Sequence, residues 1–180
     1  MHNTTQNGTP FKYSPAALAE VKGLLKKYPD GRGKSAILRA LHLAQEENQG
    51  WLSVAAMDEV ATALSIAPIE VYEVASFYSM YNLNPVGKYV LEFCHTGPCA
   101  IEGAESLIEY TKLKLGIGKN QTTPDGMFTI KEVECLGACG YAPMMQVGEF
   151  FHEHLDAAKI DQFVEDCRNG KIDKGTWKMH

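Results

Sequence analysis

Four of the five cysteines fall in two close pairs, Cys94-His-Thr-Gly-Pro-Cys99 and Cys135-Leu-Gly-Ala-Cys139. Two thiolates four or five positions apart on a loop can grip a metal centre from one side, and a second such pair completes four ligands. Four thiolates suit an iron-sulfur cluster, because soft sulfur matches the iron and its negative charge holds the ferric state. Zinc accepts the same donor set. The spacing leans towards iron: zinc knuckles are built on shorter C-x-x-C pairs, whereas here the arms are C-x4-C and C-x3-C. The plant-type ferredoxin spacing is absent as well. Gly97, Gly137 and Gly140 lie among the cysteines. Lacking a Cβ, they allow positive φ and backbone N–H groups turned towards sulfur, although ordinary turns use glycine in the same way.

The elements that must position these pairs begin at Asn84-Pro85-Val86-Gly87, a turn cluster where the hydrophobic period changes from helical to alternating. Tyr89, Leu91 and Phe93 alternate with Lys88, Val90 and Glu92, a strand that delivers Cys94 at its carboxyl end. Cys99 opens the next helix, whose inner face is Ile101, Ala104, Ile108 and Leu115, and the dipole at that N-terminus favours a thiolate. A second strand, Met127 to Val133, leads to the other pair. Parallel pairing through a right-handed crossover brings both pairs to one edge of the sheet. Two short strands, Pro143 to Val147 and Glu149 to His152, meet at Gly148-Glu149, and a final helix runs from Asp156 to Arg168. The order β-α-β-β-β-α is that of a thioredoxin-like fold without its middle helix.

Upstream the periodicity is helical. Ser14 caps a helix with Pro15 at its first position, followed by Leu18, Val21, Leu25 and Tyr28, and Pro29-Asp30-Gly31 ends it. A second helix from Ser35 carries Ile37, Leu38, Leu41 and Ala44 inward as far as Gly50, and a third runs from Ser53 to Leu64. The fourth opens at Pro68 and is apolar nearly all round. Such a helix is buried in its own bundle or covered by a partner, with Phe77, Tyr78 and Tyr81 as the interface residues in the second case. The expected layout is a disordered tail over 1–13, an all-α bundle over 14–84, a cysteine-bearing α+β domain over 85–170 and a C-terminal tail over 171–180.

The chain has 180 residues, 45% of them hydrophobic, enough for a packed core in one large or two small domains. With 17 basic and 22 acidic side chains its net charge is -5, and no basic stripe marks a nucleic-acid partner. No apolar run is long enough to span a bilayer. Residues 1–13 are polar, without an apolar core or arginine, which argues against a secretory or transit signal and for a cytoplasmic, reducing compartment. Five cysteines, an odd number, fit poorly with a disulfide framework. Cys167 aligns with Ile160, Phe163 and Val164 and reads as a small core residue. His95 lies between two cysteines, but a Rieske centre needs two histidines on one iron. His152 and His154 alternate near a strand and read as solvated rather than as a metal clasp. Gly31-x-Gly33 and Gly116-x-Gly118-Lys119 match neither a dinucleotide fingerprint nor a P-loop. No catalytic triad or carboxylate pair is apparent.

The run Glu134-Cys135-Leu136-Gly137-Ala138-Cys139-Gly140-Tyr141-Ala142-Pro143, with the C-x4-C pair and Thr123-Pro124-Asp125-Gly126 before it, resembles the thioredoxin-like 2Fe-2S subunit of NADH:quinone oxidoreductase, respiratory complex I. Ala40-Leu41-His42-Leu43-Ala44-Gln45-Glu46 and Val74-Ala75-Ser76-Phe77-Tyr78 extend the likeness over most of the chain. The resemblance implies that Cys94, Cys99, Cys135 and Cys139 ligate a 2Fe-2S cluster. It implies a one-electron carrier beside a flavoprotein subunit that binds NADH and FMN. An adjacent iron-sulfur subunit would complete the surroundings, in the peripheral arm at the cytoplasmic face of the inner membrane, without direct membrane insertion. The cluster would stand off the main path to quinone, in a reserve or protective role, and the N-terminal helices would help dock the chain. Thioredoxin-like folds keep a cis-proline before the third strand, so a cis Ala142-Pro143 bond is expected. Similar subunits serve NAD-coupled hydrogenases and formate dehydrogenases. A structural zinc module is the alternative outside redox chemistry, while the lack of any C-x-x-C disfavours a thiol-disulfide oxidoreductase.

Overall fold

A computed structural model describes residues 10–172 of the chain. Most of the expected tails, residues 1–9 and 173–180, lie outside the described residues. The chain divides into two compact units, Met1–Pro85 and Val86–His180.

In the first unit the described elements are helices α1 (Pro15–Leu25), α2 (Ile37–Glu47), α3 (Val54–Leu64) and α4 (Pro68–Phe77), with a 3-10 turn over Gly33–Ala36. Order begins before the expected cap: Tyr13 is buried and its hydroxyl donates to the Ala40 carbonyl at 2.6 Å. The Ser14 hydroxyl then accepts from the Ala17 N–H, with Pro15 in the first turn, as the sequence demands. α1 stops at Leu25 and leaves Tyr28 exposed, earlier than the apolar spacing predicts. In α2 the buried residues are Ile37, Ala40, Leu41, Leu43 and Ala44, while Leu38 is exposed. At about 100° per residue, Ala40 and Leu43 pull the centre of the buried arc away from Leu38.

Burial of α4 within its own unit is the expectation that fails most clearly. Only Val71 and Ala75, one turn apart, are buried, whereas Phe77 is 80% exposed and Ile69 is 59% exposed. Tyr81 behaves the other way: it lies beyond the helix, is buried, and donates its hydroxyl to the Leu38 carbonyl at 2.8 Å, so it serves no interface. At Gly33 a Cβ would come to 2.3 Å from the Leu64 carbonyl oxygen, a backbone atom that cannot swing aside. Gly33→Ala should therefore destabilise this unit by about 1–3 kcal/mol, the usual cost of overpacking, read as a lower urea midpoint.

The second unit contains β1 (Tyr89–Cys94), α5 (Gly97–Ile101), α6 (Ala104–Leu115), β2 (Phe128–Val133), β3 (Met145–Val147), β4 (Phe150–His152) and α7 (Ala157–Arg168). The sheet order is β2-β1-β3-β4. β1 and β2 pair in parallel from Tyr89↔Phe128 to Cys94↔Val133, and β3 runs antiparallel to both β1 and β4. Tyr89, Leu91 and Phe93 of β1 are buried together with Phe128, Ile130, Ile160, Phe163 and Cys167. Cys167 is thus the core residue its register predicts.

The crossover is two helices rather than one. Gly103, at φ 90°, breaks the chain between them, and Ile101, expected inward, is 85% exposed because α5 does not continue the face of α6. The Ala142-Pro143 bond is cis, as expected. Among the described residues no helix is long and apolar enough to cross a membrane.

His152 corrects another expectation, since it is buried with its ring against Phe163 at 4.6 Å and not solvated. Burial pushes its pKa down from 6.5 to about 4. The unfolded chain therefore takes up this proton first, and stability falls as the pH drops through the interval below 6.5. Denaturant titrations at pH 7 and pH 5 should show that loss in the parent chain and a smaller one in His152→Gln.

Candidate metal centre

The parallel register decides where the cysteines meet. Cys94 ends β1 opposite Val133 at the end of β2, so Cys135, two residues on, leaves the sheet at the same edge. Cys99 is the third residue of α5, and Cys139 opens a 3-10 turn, Cys139–Tyr141, that packs against α5. Cys94 and Cys99 are buried, with Ala104 and Met144, while Cys135 and Cys139 are exposed. The sulfurs of Cys135 and Cys139 stand 3.5 Å apart.

Backbone N–H groups aim at these sulfurs. Gly137, at φ 82°, donates to Cys135 Sγ at 3.4 Å, and Gly97 also has positive φ, but Gly140 does not. Gly140 lies inside the 3-10 turn, whose ordinary backbone needs no glycine. The N–H of Leu136, on the second loop, favours the thiolate of Cys94 on the first, and Met144 N–H favours that of Cys99. These donors left no trace in the sequence, because every residue but proline carries the same N–H and only the fold aims it.

The thiols differ in acidity. Burial opposes ionisation of Cys94, yet N–H groups of Thr96 and Leu136 and the neighbouring thiol outweigh it and bring its pKa down. Cys99 is pushed up to about 11 by burial and then by Cys94. A dipole-stabilised thiolate at Cys99 was the expectation, but a five-residue helix offers little dipole against that burial. Cys139 is raised as well, by its neighbour Cys135. Without a cation, the site resists several negative sulfurs at once, which is the behaviour of a metal-binding donor set.

Among the described residues no three His, Cys, Asp or Glu side chains are gathered tightly enough for a single ion. The thiols come instead as two pairs, and a 2Fe-2S cluster takes two protein ligands on each of two irons. The donor set therefore fits that cluster. His95 adds no ligand pair: its Nε2 is 3.9 Å from a Glu134 carboxylate oxygen. His152 and His154 form no clasp, since the first faces Phe163 and the second rests on Tyr141.

Fold and donor set define a ferredoxin-like protein, and comparison with known families agrees. The chain matches the thioredoxin-like 2Fe-2S ferredoxin family over residues 21–168, and it belongs to that family. It is 43% identical over 166 residues to the mitochondrial NADH dehydrogenase (ubiquinone) flavoprotein 2 of Dictyostelium discoideum, over 92% of this chain and 67% of that protein. It is 41% identical over 167 residues to the E subunit of NADH-quinone oxidoreductase from Rickettsia typhi, over 93% of this chain and 98% of the relative. Among solved structures, an NAD+-reducing NiFe hydrogenase in the air-oxidised state aligns with a TM-score of 0.67 and 27% identity over 79% of this chain. The chain spans only 24% of that hydrogenase chain.

Exposure orders the thiols towards alkylation. In metal-free protein treated with iodoacetamide at pH 8, peptide mass spectrometry should find Cys135 and Cys139 modified well before Cys99 and Cys167, the latter buried with its pKa raised to about 12. Equal rates at all five would contradict this arrangement.

Proposed function

We propose that this chain is a one-electron carrier, with a 2Fe-2S cluster held by Cys94, Cys99, Cys135 and Cys139, in an NADH-oxidising respiratory complex of the NADH:quinone oxidoreductase type. The observation that carries the reading is the parallel pairing of β1 and β2, which brings two separated cysteine pairs to one sheet edge. When bound, such a cluster supplies one-electron redox chemistry tuned by thiolate ligation, hydrogen bonds and burial. The chain's own part is to hold the four sulfurs, to aim the N–H groups of Leu136, Gly137 and Met144 at them, and to keep water from the inner pair.

In this reading the chain is an N-terminal helical bundle followed by a thioredoxin-like domain of order β-α-β-β-β-α, its crossover helix divided into α5 and α6. Its electrons are exchanged with the FMN of an NADH-binding flavoprotein subunit, next to a further iron-sulfur subunit, at the cytoplasmic face of the membrane. Identity over nearly the whole length of the Rickettsia relative supports that assembly. The same role in the diaphorase part of an NAD-linked hydrogenase is the second reading, supported by the structural likeness to the NAD+-reducing enzyme.

The test is iron and acid-labile sulfide analysis of anaerobically purified protein, with an EPR spectrum after dithionite reduction. Equal iron and sulfide with a reduced 2Fe-2S signal is the expected result; zinc without sulfide overturns the reading. Cys139→Ser should shift or abolish the signal, and Cys167→Ser should leave it in place. An unaltered spectrum in Cys139→Ser removes the ligand assignment.

A further inference from the structure

Met144 and Met145 are neighbours in the chain with separate surroundings. Met145 opens β3, pairs with Phe93 of β1 and is buried in the main core. Successive side chains of an extended chain point to opposite faces. Met144 accordingly leaves the main core and is buried with Cys94, Cys99 and Ala104. It is 1% exposed. Its backbone meets both inner cysteines: the carbonyl accepts from the Cys94 N–H at 3.2 Å, and the N–H favours the Cys99 thiolate.

Those backbone groups are present whatever residue stands at 144, so they give the side chain no task. Its surroundings do. The residues packed against this small cluster, Leu136, Ala138, Ala142 and Phe151, are apolar and only partly buried, and the outer sulfurs of Cys135 and Cys139 are exposed. Solvent therefore reaches one pair of sulfurs and not the other. Between them the long unbranched thioether is the kind of side chain that fills irregular space.

Resting on the function proposed above, we propose that Met144 is a positioning residue of the centre, whose side chain seals the Cys94 and Cys99 sulfurs from water and so holds down the reduction potential of the bound cluster. The sign follows from charge. One-electron reduction adds a negative charge to a centre already made anionic by four thiolates. Apolar surroundings disfavour that added charge and water stabilises it, so a wetted inner pair is easier to reduce.

Three substitutions test the seal in the anaerobically purified full chain, with iron and acid-labile sulfide measured for each. Met144→Ala opens space beside the inner sulfurs, Met144→Gln keeps the length but brings an amide that water can join, and Met144→Leu keeps an apolar side chain of similar volume. The readouts are the midpoint potential from an EPR-monitored redox titration and the exchangeable deuteron couplings of the reduced signal after transfer to D2O. The Ala and Gln variants should show a potential shifted to more positive values and stronger deuteron couplings, and the Leu variant should return both to those of the parent. Parent values in the Ala and Gln variants overturn the proposal, as does a shift in the Leu variant equal to that in the Ala variant.

A further readout needs no cluster. In the metal-free full chain, Met144→Ala should speed iodoacetamide alkylation of Cys94 and Cys99 and leave Cys167, buried in the main core, at its parent rate. Unchanged rates at Cys94 and Cys99, or equal acceleration at Cys167, overturn the seal. A parent chain with zinc and no sulfide strikes the proposed function, whereas an intact 2Fe-2S signal with an unmoved potential strikes only the role of Met144.

Discussion

Everything in the second unit serves the parallel pairing of β1 with β2. Two cysteine pairs far apart in the chain must reach one place, and a strand can deliver a residue only at its end. Were the two strands antiparallel, Cys94 and Cys135 would leave at opposite ends, about 20 Å apart for six residues at the usual rise per residue. Parallel pairing forbids a tight hairpin and requires a crossover. α5 and α6 are that crossover, and their break at Gly103 lets the first turn wrap the centre while the second packs on the sheet. β3 then pairs antiparallel with β1 and brings Met144 N–H under Cys99.

The scaffold and the centre are stabilised by different means. The main core, from Tyr89 to Cys167, is assembled from strand and helix side chains without any help from the cysteine loops. The cluster of buried residues at the centre is small and contains Cys94, Cys99, Ala104 and Met144. Leu136, Ala138 and Ala142 of the second loop and Phe151 pack against it, partly buried. Burial drives Cys99 towards its neutral form, while the N–H groups hold Cys94 towards its charged one. Full ionisation of the set therefore waits on a cation, and the hydrophobic core supplies the platform on which that ionisation happens.

Much of this was legible in the residues. Alternation revealed β1, the cap at Ser14 and the pattern changes at Ser53 and Asp156 marked three helix starts, and the cysteine spacing located the centre. What stayed hidden were features set by neighbours in space. Ile101 lies on an apolar period but on a helix that ends two residues before Gly103, so its face is not that of α6. α4 is apolar nearly all round, yet a pattern cannot say how many neighbours are present to cover it: Val71 and Ala75 are buried, and Tyr72 and Val74 are only partly covered. His152 has the sequence context of a surface residue and is buried by Phe163 from a helix further along the chain. Gly140 looks like Gly137 in sequence, but the 3-10 turn after Cys139 spares it positive φ.

The choice of what surrounds the sulfurs bears on the electron itself. Backbone N–H groups are fixed dipoles, so they stabilise thiolates without adding a full positive charge and without the reorganisation of a long side chain. A lysine at either loop would favour the reduced centre, which carries one more negative charge than the oxidised one. Neither cysteine loop has one, and the exposed carboxylates of Glu102 and Glu134 act in the opposite sense. The chain's own charges thus lean towards the oxidised form.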